Sequence, residues 1–356
     1  MDIIQIKEEA NNSSLAKQLD STFQIQNNMI GMSIPMKITD RYTMQKQIDK
    51  SAYYDRTKLL GRGRMGSVYL GKDPKTGKKV AIKTIKTDKN GLEMTSLREI
   101  KILNEVCQSK QLNIIQLLDV FHTQGEVNLV LEYCCTDLGR ILKDKEIKLS
   151  ESDIKTIMKE CLESLDYCHK HWIMHRDIKP DNIFIDDQNH HKLSDFGLSR
   201  FYGTPRDKYT FEVYTILYRP PELFLHANAY GPAADIWALG MVMAELALKI
   251  PLLQVTSYDE ATLLYTIYHI FGTPNEESWP DCSLLPNYME FDSCSPINFH
   301  SIFPNMSDQY IDLFKQMCTI NPNHRISAED ALKHPFFSVD PQPTPFNQLP
   351  YDKYHK

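Results

Sequence analysis

The sequence has no long hydrophobic run and little excess charge of either sign. No apolar stretch approaches the roughly 20 residues that a membrane-spanning helix needs, and the start of the chain, Met1–Gln5, lacks the basic-then-apolar order of a signal peptide. Across 356 residues, 40 basic and 46 acidic side chains leave a net charge of −6. We therefore expect neither nucleic acid nor a membrane as a direct partner.

Cysteines are few and lack the spacing of a metal site or a disulfide framework. The eight are Cys107, Cys134, Cys135, Cys161, Cys168, Cys282, Cys294 and Cys318. Cys134 and Cys135 are adjacent, and no second Cys/His pair has zinc spacing. Cys161 and Cys168 fall in an amphipathic helical pattern, so we interpret them as small core hydrophobes. This usage favours a reducing compartment, the cytosol or the nucleus.

The first 53 residues are polar and differ from the rest of the chain. They are rich in Asn, Gln and Lys and show no sustained helical or strand period, which predicts a disordered extension rather than a docking segment. The alternation of Ile30, Met32, Ile34 and Met36 leaves a short strand open as an alternative.

Beyond residue 53 the composition is that of a globular protein, with 42% hydrophobic and 24% charged residues overall. Strand patterns dominate residues 54–134, and helical patterns dominate residues 135–337, including an apolar run at Asp235–Ala244 that predicts a buried central helix. Residues 338–356 contain four prolines and are interpreted as an extended tail. The change of pattern predicts two lobes with a nucleotide site in the cleft between them.

Two motifs in the middle of the chain concentrate the chemistry. They are His-Arg-Asp-Ile-Lys-Pro-Asp-Asn at 175–182 and Ser-Asp-Phe-Gly at 194–197. Asn182 and Asp195 offer oxygen ligands for Mg²⁺. Asp177 can orient a hydroxyl group, and Lys179 can neutralise a phosphate in transfer. The motifs in this order predict phosphoryl transfer from ATP, and solvated turns at the two aspartates are the disfavoured alternative.

A glycine-rich segment lies between two predicted strands. It reads Gly-Arg-Gly-Arg-Met-Gly at 61–66 and continues as a strand, then a turn at 74–77, then the run Val80–Lys83. A dinucleotide site needs a helix directly after its glycines, so the two strands favour a loop that covers polyphosphate. Lys83 ends the second apolar run, and Glu99 lies in a helical pattern from which it could pair with Lys83.

Over residues 54–337 the sequence resembles the eukaryotic protein kinase family. The motifs that agree in order and spacing are the glycine loop, Lys83, Glu99, His175-Arg176-Asp177, Asn182, Asp195-Phe196-Gly197, Pro221-Glu222, Asp235 and Arg325. The resemblance implies an α+β fold with a small antiparallel β-sheet lobe (54–134) that carries one helix and a large, mainly α-helical lobe (135–337). Lys179 is similar to the serine/threonine branch.

The resemblance also implies roles for individual residues. Asp177 and Lys179 would be catalytic, Asn182 and Asp195 would hold Mg²⁺, and Arg325 would form a structural bridge with Glu222. The residues implied to surround ATP are Leu60, Gly61, Gly63, Gly66, Val68, Ala81, Lys83, Glu99, Leu131 as the gatekeeper, Glu132 and Cys134 through their backbone, Asp137 toward the ribose, and Phe184.

Within the kinases the chain resembles the cyclin-dependent kinases and, more narrowly, the CDK-activating branch. Met94–Ile100 and Gly272–Pro280 carry the resemblance to the cyclin-dependent kinases. The narrower resemblance is carried by Thr136–Leu138, by Gly203–Thr210, and by Pro343–Pro345 with Gln348–Pro350 in the tail. It implies a cyclin H-like partner, a MAT1-like assembly factor and TFIIH. It also implies phosphorylation of the activation loops of other cyclin-dependent kinases and of the RNA polymerase II C-terminal domain, in the nucleus and also in the cytoplasm.

The same resemblance implies regulation by phosphorylation. Thr210 falls where the family is phosphorylated, and Arg98, Arg176 and Arg200 match the arginines that collect this phosphate. Thr204, followed by proline, is a second candidate site.

Several positions depart from the family pattern. Arg64 and Met65 replace the phosphorylatable residues of the glycine loop, so inhibitory phosphorylation cannot act there. Tyr214 and Leu217 replace Val and Trp near the substrate, which leaves the preference for Pro after the target residue open. Pro220 precedes Pro221-Glu222 where Ala is usual and should stiffen the loop.

Two other functions remain as alternatives. Another branch of the cyclin-dependent kinases, such as a cell-cycle-related kinase, would keep the enzyme and change its substrates. A pseudokinase scaffold would need a missing catalytic group, and the sequence has all of them. The sequence does not identify the cyclin or say whether Thr210 phosphorylation is required.

Overall fold

The computed structural model of the chain describes residues 54, 56–63, 66–87, 92–107, 113–123, 125–203, 209–227 and 229–355. The predicted disordered extension and its alternative strand at Ile30–Met36 lie outside these residues. The chain divides into two compact units, one ending at Leu97 and including Leu118–Leu131, the other comprising Arg98–Leu117 and everything from Glu132 onward. The change from one unit to the other at Leu131 lies close to the predicted boundary after residue 134.

The first unit is built on a five-stranded antiparallel sheet with the order β1-β2-β3-β5-β4. Its strands are β1 Lys58–Gly63, β2 Gly66–Lys72, β3 Lys79–Lys86, β4 Leu117–Thr123 and β5 Glu126–Glu132. Val80 and Ile82 alternate along β3 and pack with Phe121, Val130 and Tyr54 in a small core. The glycine loop joins β1 to β2, which pair antiparallel from Gly63 and Gly66, so the predicted strand–loop–strand arrangement is confirmed.

One predicted strand begins later than expected. We predict a strand from Ile114, but β4 starts at Leu117. Ile114 instead forms an isolated parallel bridge to Leu193, and both residues belong to the second unit. A contact that is distant in sequence overrides the local apolar pattern there.

The second unit is mainly helical. Its helices are α1 Met94–Val106 from Arg98 onward, α2 Leu138–Lys143, α3 Glu151–Lys170, α4 Pro221–Phe224, α5 Ala233–Leu248, α6 Glu260–Phe271, α7 Phe299–Ile302, α8 Asp308–Met317 and α9 Ala328–Leu332. The prediction of a buried central helix is confirmed, because α5 is almost entirely buried. The residue types of Ser150–Asp153 predict a capped helix start, and this is confirmed, because Ser150 and Asp153 form a capping box at the start of α3.

The second unit also contains short strands that the sequence does not predict. They are β6 Thr136–Asp137, β7 Ile173–Met174, β8 Ile183–Ile185, β9 His191–Leu193 and β10 Arg200–Phe201. Strands β6, β8 and β9 form one sheet, and β7 pairs with β10. Two or three residues are too few to show a period, yet these pairings hold the motifs at 175–182 and 194–197 together.

Helix α1 is predicted as part of the small lobe, but from Arg98 onward it belongs to the second unit. Lys101 lies over the ring of Phe201 in β10, with the ammonium 5.1 Å from the ring centroid. At the end of α1, the Cys107 thiol accepts a hydrogen bond from the backbone of Leu117. These contacts explain why this part of α1 belongs to the second unit.

The C-terminal residues are packed rather than freely extended. The buried ammonium of Lys155 on α3 donates to the carbonyls of Val339 and Pro341, each at 2.8 Å. Tyr351 is fully buried, and its hydroxyl lies 3.1 Å from Nε2 of His191. The prolines therefore predict an extended tail, but neither its two short 3₁₀ helices, Phe346–Gln348 and Asp352–Tyr354, nor its attachment to the second unit.

All eight cysteines are free thiols. The interpretation of Cys161 and Cys168 as core residues is confirmed, and burial raises the pKa of both thiols. In the part of the chain that the structure describes, no helix is long and apolar enough to cross a membrane.

A buried ion pair links distant parts of the second unit. Both guanidinium Nη atoms of Arg325 bind the carboxylate of Glu222 at 2.6 Å, so the predicted bridge is confirmed. Arg325 also donates to the carbonyl of Thr319 and lies over the ring of Trp237 in α5. The pair therefore joins α4, which bears Glu222, to the helical core.

We predict that Glu222→Ala destabilises the protein by about 3–5 kcal/mol, because it leaves the buried Arg325 charge uncompensated. Urea unfolding of the full chain measures this. The control is Glu329→Ala, which breaks exposed ion pairs with Lys170 and Lys333 and should cost less than about 1 kcal/mol. Equal unfolding midpoints for the two variants would contradict the prediction.

Candidate active site

Asp177 is surrounded by hydrogen-bond donors on three sides. Lys179 Nζ and Asn182 Nδ2 donate to its Oδ2 at 2.8 and 2.9 Å. The hydroxyl of Thr215 donates to Oδ1 at 3.0 Å and accepts from Lys179 at 2.9 Å. The two predicted catalytic residues are thus in contact, and the carboxylate is fixed in orientation.

Thr215 is a site residue that the sequence analysis does not identify. It lies 36 positions after Lys179, on the segment before α4, and a lone threonine carries no chemical signature. It directly follows Tyr214, one of the departures from the family pattern, and this position near the predicted substrate site is the signal in the sequence that points to it.

The two predicted metal ligands lie on neighbouring loops. Strands β8 and β9 pair through Ile183 and Leu193, and the N–H of Ser194 donates to the carbonyl of Asn182 at 3.0 Å. Asn182 is therefore held beside the residue that precedes Asp195.

This donor pair fits a hard cation. The amide nitrogen of Asn182 is occupied by the carbonyl and the carboxylate of Asp177, which leaves the amide oxygen as the ligating atom. Asp195 adds a carboxylate with an exposed side chain. One amide and one carboxylate oxygen, completed by phosphate and water oxygens, are typical of Mg²⁺ sites in kinases. The described residues contain no group of three or more His, Cys, Asp and Glu that could hold a metal without a substrate.

The fully buried carboxylate of Asp235 organises the backbone beneath Asp177. It accepts from the backbone N–H groups of His175 and Arg176 and from the hydroxyl of Tyr214, each at 2.8 Å, and it lies 3.1 Å from Nε2 of His169. Burial alone raises the pKa of Asp235, but the contacts with His169, His175 and Arg176 hold it below its ordinary value. The group is therefore a stable anion that anchors the loop 175–182, called the catalytic loop below because it carries Asp177.

Three residues of this region have left-handed backbone although none is glycine. The φ angles are 69° at Arg176, 61° at Asp195 and 65° at Tyr214. Such conformations cost of order 1–3 kcal/mol each and persist only where surrounding contacts impose them. Their clustering at the site is typical of a preorganised active centre.

In the first unit, three predicted ATP contacts share one face of the sheet. Val68 lies directly opposite Lys83 in the β2–β3 ladder, and Ala81 is two residues from Lys83 on β3. Gly66 has a φ of 153°, and a Cβ atom there would lie 1.9 Å from the carbonyl of Thr84, so only glycine fits. Leu60, Gly61 and Gly63 belong to β1, and Leu131 belongs to β5.

In the second unit, the N–H of Glu132 donates to the carbonyl of Gln116, so a backbone bond to adenine would come from its carbonyl. Its carboxylate accepts from the Gln116 N–H and pairs with buried Lys192 at 3.1 Å. Burial raises the pKa of Glu132, against the effect of Lys192. These bonds fix the segment that leads to Cys134, whose thiol pKa burial also raises.

Asp137 and Phe184 are opposite each other in the β6–β8 pair. The Asp137 carboxylate already caps α2 through the N–H of Arg140 at 2.9 Å and pairs with its guanidinium. Contact of Asp137 with a ribose thus stays a prediction, while its role as the cap of α2 is clear. Glu99 is buried on α1.

Two of the predicted regulatory residues, Thr210 and Arg176, are bonded to Tyr230, a residue that the sequence does not single out. Its hydroxyl donates to the carbonyl of the exposed Thr210 and accepts from Arg176 Nη1, both at 2.8 Å. Arg200 is close enough to lower the pKa of Tyr230, although burial, the larger effect, raises it to about 12. Arg98 lies half-buried on α1. Thr204, Arg64 and Met65 are outside the described residues.

Comparisons with known proteins agree with this geometry. The protein kinase domain model matches residues 54–337. Cyclin-dependent kinase D-1 of Oryza sativa subsp. indica is 42% identical over 299 residues, which are 83% of this chain and 69% of the relative. Cyclin-dependent kinase 7 of Xenopus laevis is 40% identical, over 85% of this chain and 86% of the relative. A chain of the CAK complex of Chaetomium thermophilum, solved with ATP-γ-S, is 34% identical with a TM-score of 0.79, over 89% of this chain and 99% of that chain.

We predict that Thr215→Val lowers the rate of phosphate transfer to a peptide by about tenfold to a hundredfold, since it removes the hydroxyl that bonds both Asp177 and Lys179. Steady-state rates at saturating ATP measure this effect. Thr215→Ser is the matched control and should retain most of the activity. A fully active valine variant would show that the hydroxyl has no part in positioning Asp177.

Proposed function

The chain belongs to the protein kinase family and, within it, to the group of cyclin-dependent kinases 7 and D, and from this premise we propose a CDK-activating serine/threonine kinase. Its substrates would be the activation loops of other cyclin-dependent kinases and the C-terminal repeats of RNA polymerase II. The observation that carries the kinase chemistry is the contact set of Asp177 with Lys179, Thr215 and Asn182. The extended match to the CAK chain carries the choice of branch.

In the proposed reaction Asp177 orients the hydroxyl of a substrate serine or threonine toward the γ-phosphate of ATP and accepts its proton. Lys179 donates to Asp177 and Thr215, which leaves its third N–H group for the transferred phosphate. Thr215 and Asn182 prevent the carboxylate from rotating away. Positioning and charge neutralisation account for most catalysis of this kind.

ATP binding is supported by the family and by the ATP-γ-S complex of the structural relative. We propose that Asn182 and Asp195 hold Mg²⁺, which would neutralise the phosphate oxygens when bound. Lys83, on the same sheet face as Val68 and Ala81, would bind the phosphates. Gly66, where a side chain cannot fit, would allow the loop backbone to approach them.

We propose a cyclin H-like regulatory partner, a MAT1-like assembly factor and membership of TFIIH, with a nuclear location and roles in transcription and the cell cycle. The relatives are named as cyclin-dependent kinases and as part of a CAK complex, and this supports the proposed class of partner. Helix α1 is a suitable surface for the proposed cyclin, because it begins with the half-exposed Met94.

Phosphorylation of Thr210 is the proposed activating event. Its side chain is exposed, and Arg176 approaches the same region through Tyr230. Nη1 of Arg200 is buried and makes no hydrogen bond to any residue that the structure describes. A phosphate with a charge of about −1.5 to −2 would satisfy this guanidinium and draw Arg176 and Arg200 together.

A second candidate is another branch of the cyclin-dependent kinases. A relative named as a probable cyclin-dependent kinase 10, from Dictyostelium discoideum, is 38% identical over 83% of this chain. The two functions share the reaction and differ in substrate.

A labelled-ATP assay on the full chain, purified with its cyclin, separates them. We predict labelling of a polymerase C-terminal repeat peptide and of an activation loop from another cyclin-dependent kinase. Asp195→Asn, which removes a proposed metal ligand, should abolish both signals and exclude a contaminating kinase. Labelling of neither peptide by a cyclin-bound enzyme that phosphorylates a general substrate would exclude the CDK-activating function.

We predict that Thr210→Ala lowers activity or cyclin retention severalfold, because the phosphate that ties the arginines together can no longer form. Pull-down of the cyclin and the peptide assay measure the two effects. Thr76→Ala, in the exposed β2–β3 turn, is the control and should behave as wild type. Unchanged activity together with unchanged retention in Thr210→Ala would refute the proposed regulation.

A further inference from the structure

Tyr214 is in an unusual conformation for a large side chain. Its φ of 65° is left-handed, a region that bulky residues rarely adopt, and only 5% of its surface is exposed. Valine is the family residue here, and it has no hydroxyl. In this chain the tyrosine hydroxyl donates to Oδ1 of Asp235 at 2.8 Å, in the buried interior.

Three hydrogen bonds close a ring through Tyr214. Its backbone N–H donates to the carbonyl of Arg176 at 3.2 Å. The N–H of Arg176 donates to the same Oδ1 of Asp235 that the Tyr214 hydroxyl binds. Arg176 is itself left-handed, so two strained residues are held against each other by one carboxylate oxygen. Each bond offsets part of the cost of these conformations.

Both strained residues are followed directly by a residue of the Asp177 hydrogen-bond network. Asp177 comes after Arg176, and Thr215 comes after Tyr214. The N–H and the hydroxyl of Thr215 both point to Oδ1 of Asp177, at 3.3 and 3.0 Å. The ring therefore fixes the two backbones whose next side chains meet at the catalytic carboxylate.

The chemical state of Tyr214 suits this role. Burial and, to a smaller extent, the neighbouring Asp235 raise the pKa of its hydroxyl well above the ordinary value. The hydroxyl is thus a permanent donor, as the anionic Asp235 requires. Phenylalanine at this position would keep the aromatic side chain in place and leave Asp235 with one hydrogen-bond donor fewer.

We propose that the Tyr214 hydroxyl is a positioning group for catalysis: it fixes the segment that carries Tyr214 and Thr215 to Asp235 and thereby holds Thr215 on Asp177. The role rests on the kinase activity of the chain and is independent of the substrates and partners proposed above. It makes the bond from Tyr214 to Asp235 part of the machinery that orients Asp177, although Tyr214 itself touches no reacting atom.

The test compares Tyr214→Phe with wild type in the full chain purified with its cyclin. Peptide phosphorylation gives kcat and the KM for ATP, with rates expressed per molecule that binds a nucleotide analogue, so that unfolded protein is not counted. We expect kcat to fall about tenfold, as one lost buried hydrogen bond at the site permits. The KM for ATP should stay within about twofold, since the hydroxyl bonds Asp235 and none of the residues predicted to contact ATP.

Tyr310→Phe is the matched control. Tyr310 is fully buried in the same unit, and its hydroxyl donates to the Met243 carbonyl at 2.8 Å. This variant should lose stability as Tyr214→Phe does but keep kcat. Tyr214→Asn, in which a residue type that tolerates left-handed backbone replaces the phenol, should lose kcat like the phenylalanine variant and serves if the latter is poorly folded.

A double-mutant cycle with Thr215→Val tests the route of the effect. If Tyr214 acts through Thr215, the kcat of the double variant should be less than about twofold below the kcat of Thr215→Val alone. An unchanged kcat in Tyr214→Phe, or fully additive losses, would overturn the inference. If wild type phosphorylates a general substrate but neither CDK-activating peptide, the proposed substrates fail while this test still stands.

Discussion

The buried carboxylate of Asp235 is the constraint on which the site depends. A charge inside a protein is tolerated only if polar partners surround it, and Asp235 gathers them from the end of α3, the catalytic loop and the segment that bears Tyr214. Because the buried carboxylate needs these partners, it holds the segments that supply them in fixed positions. Two backbone N–H groups of the catalytic loop are directed at a fixed point, and Asp177 follows them at once in sequence.

The chemistry of the site follows from this anchor. Asp177 cannot rotate because Lys179, Asn182 and Thr215 bind its two oxygens from different directions. Asn182 has its amide nitrogen committed to Asp177, so its oxygen is the atom left for a cation, and the β8–β9 pairing holds it beside the loop of Asp195. The same bonds that orient Asp177 thus leave the Asn182 oxygen free for the proposed Mg²⁺, which links the two motifs.

Much of this could be predicted from the sequence, for clear physical reasons. The chemistry proposed for phosphate and Mg²⁺ suits few residue types, so Asp177, Asn182 and Asp195 stand out in the sequence by type and spacing. The central helix, the cap at Ser150 and the pair between Glu222 and Arg325 follow from hydrophobic pattern, capping chemistry and family resemblance. Thr215 and Tyr230 escaped prediction because their roles come from tertiary contact. The packing of the C-terminal residues escaped for the same reason: a proline-rich composition does not reveal that the carbonyls of Val339 and Pro341 meet the buried Lys155.

Asp235→Asn tests the account most directly, because it keeps the shape of the side chain and removes the charge that gathers the site. The measurement is the single-turnover rate of phosphate transfer by the cyclin-bound enzyme preloaded with labelled ATP, per molecule of nucleotide bound. The account predicts a loss of at least about a hundredfold with nucleotide binding retained, since Asp177 would no longer be held in place. A rate close to that of wild type in a variant that binds ATP normally would contradict it.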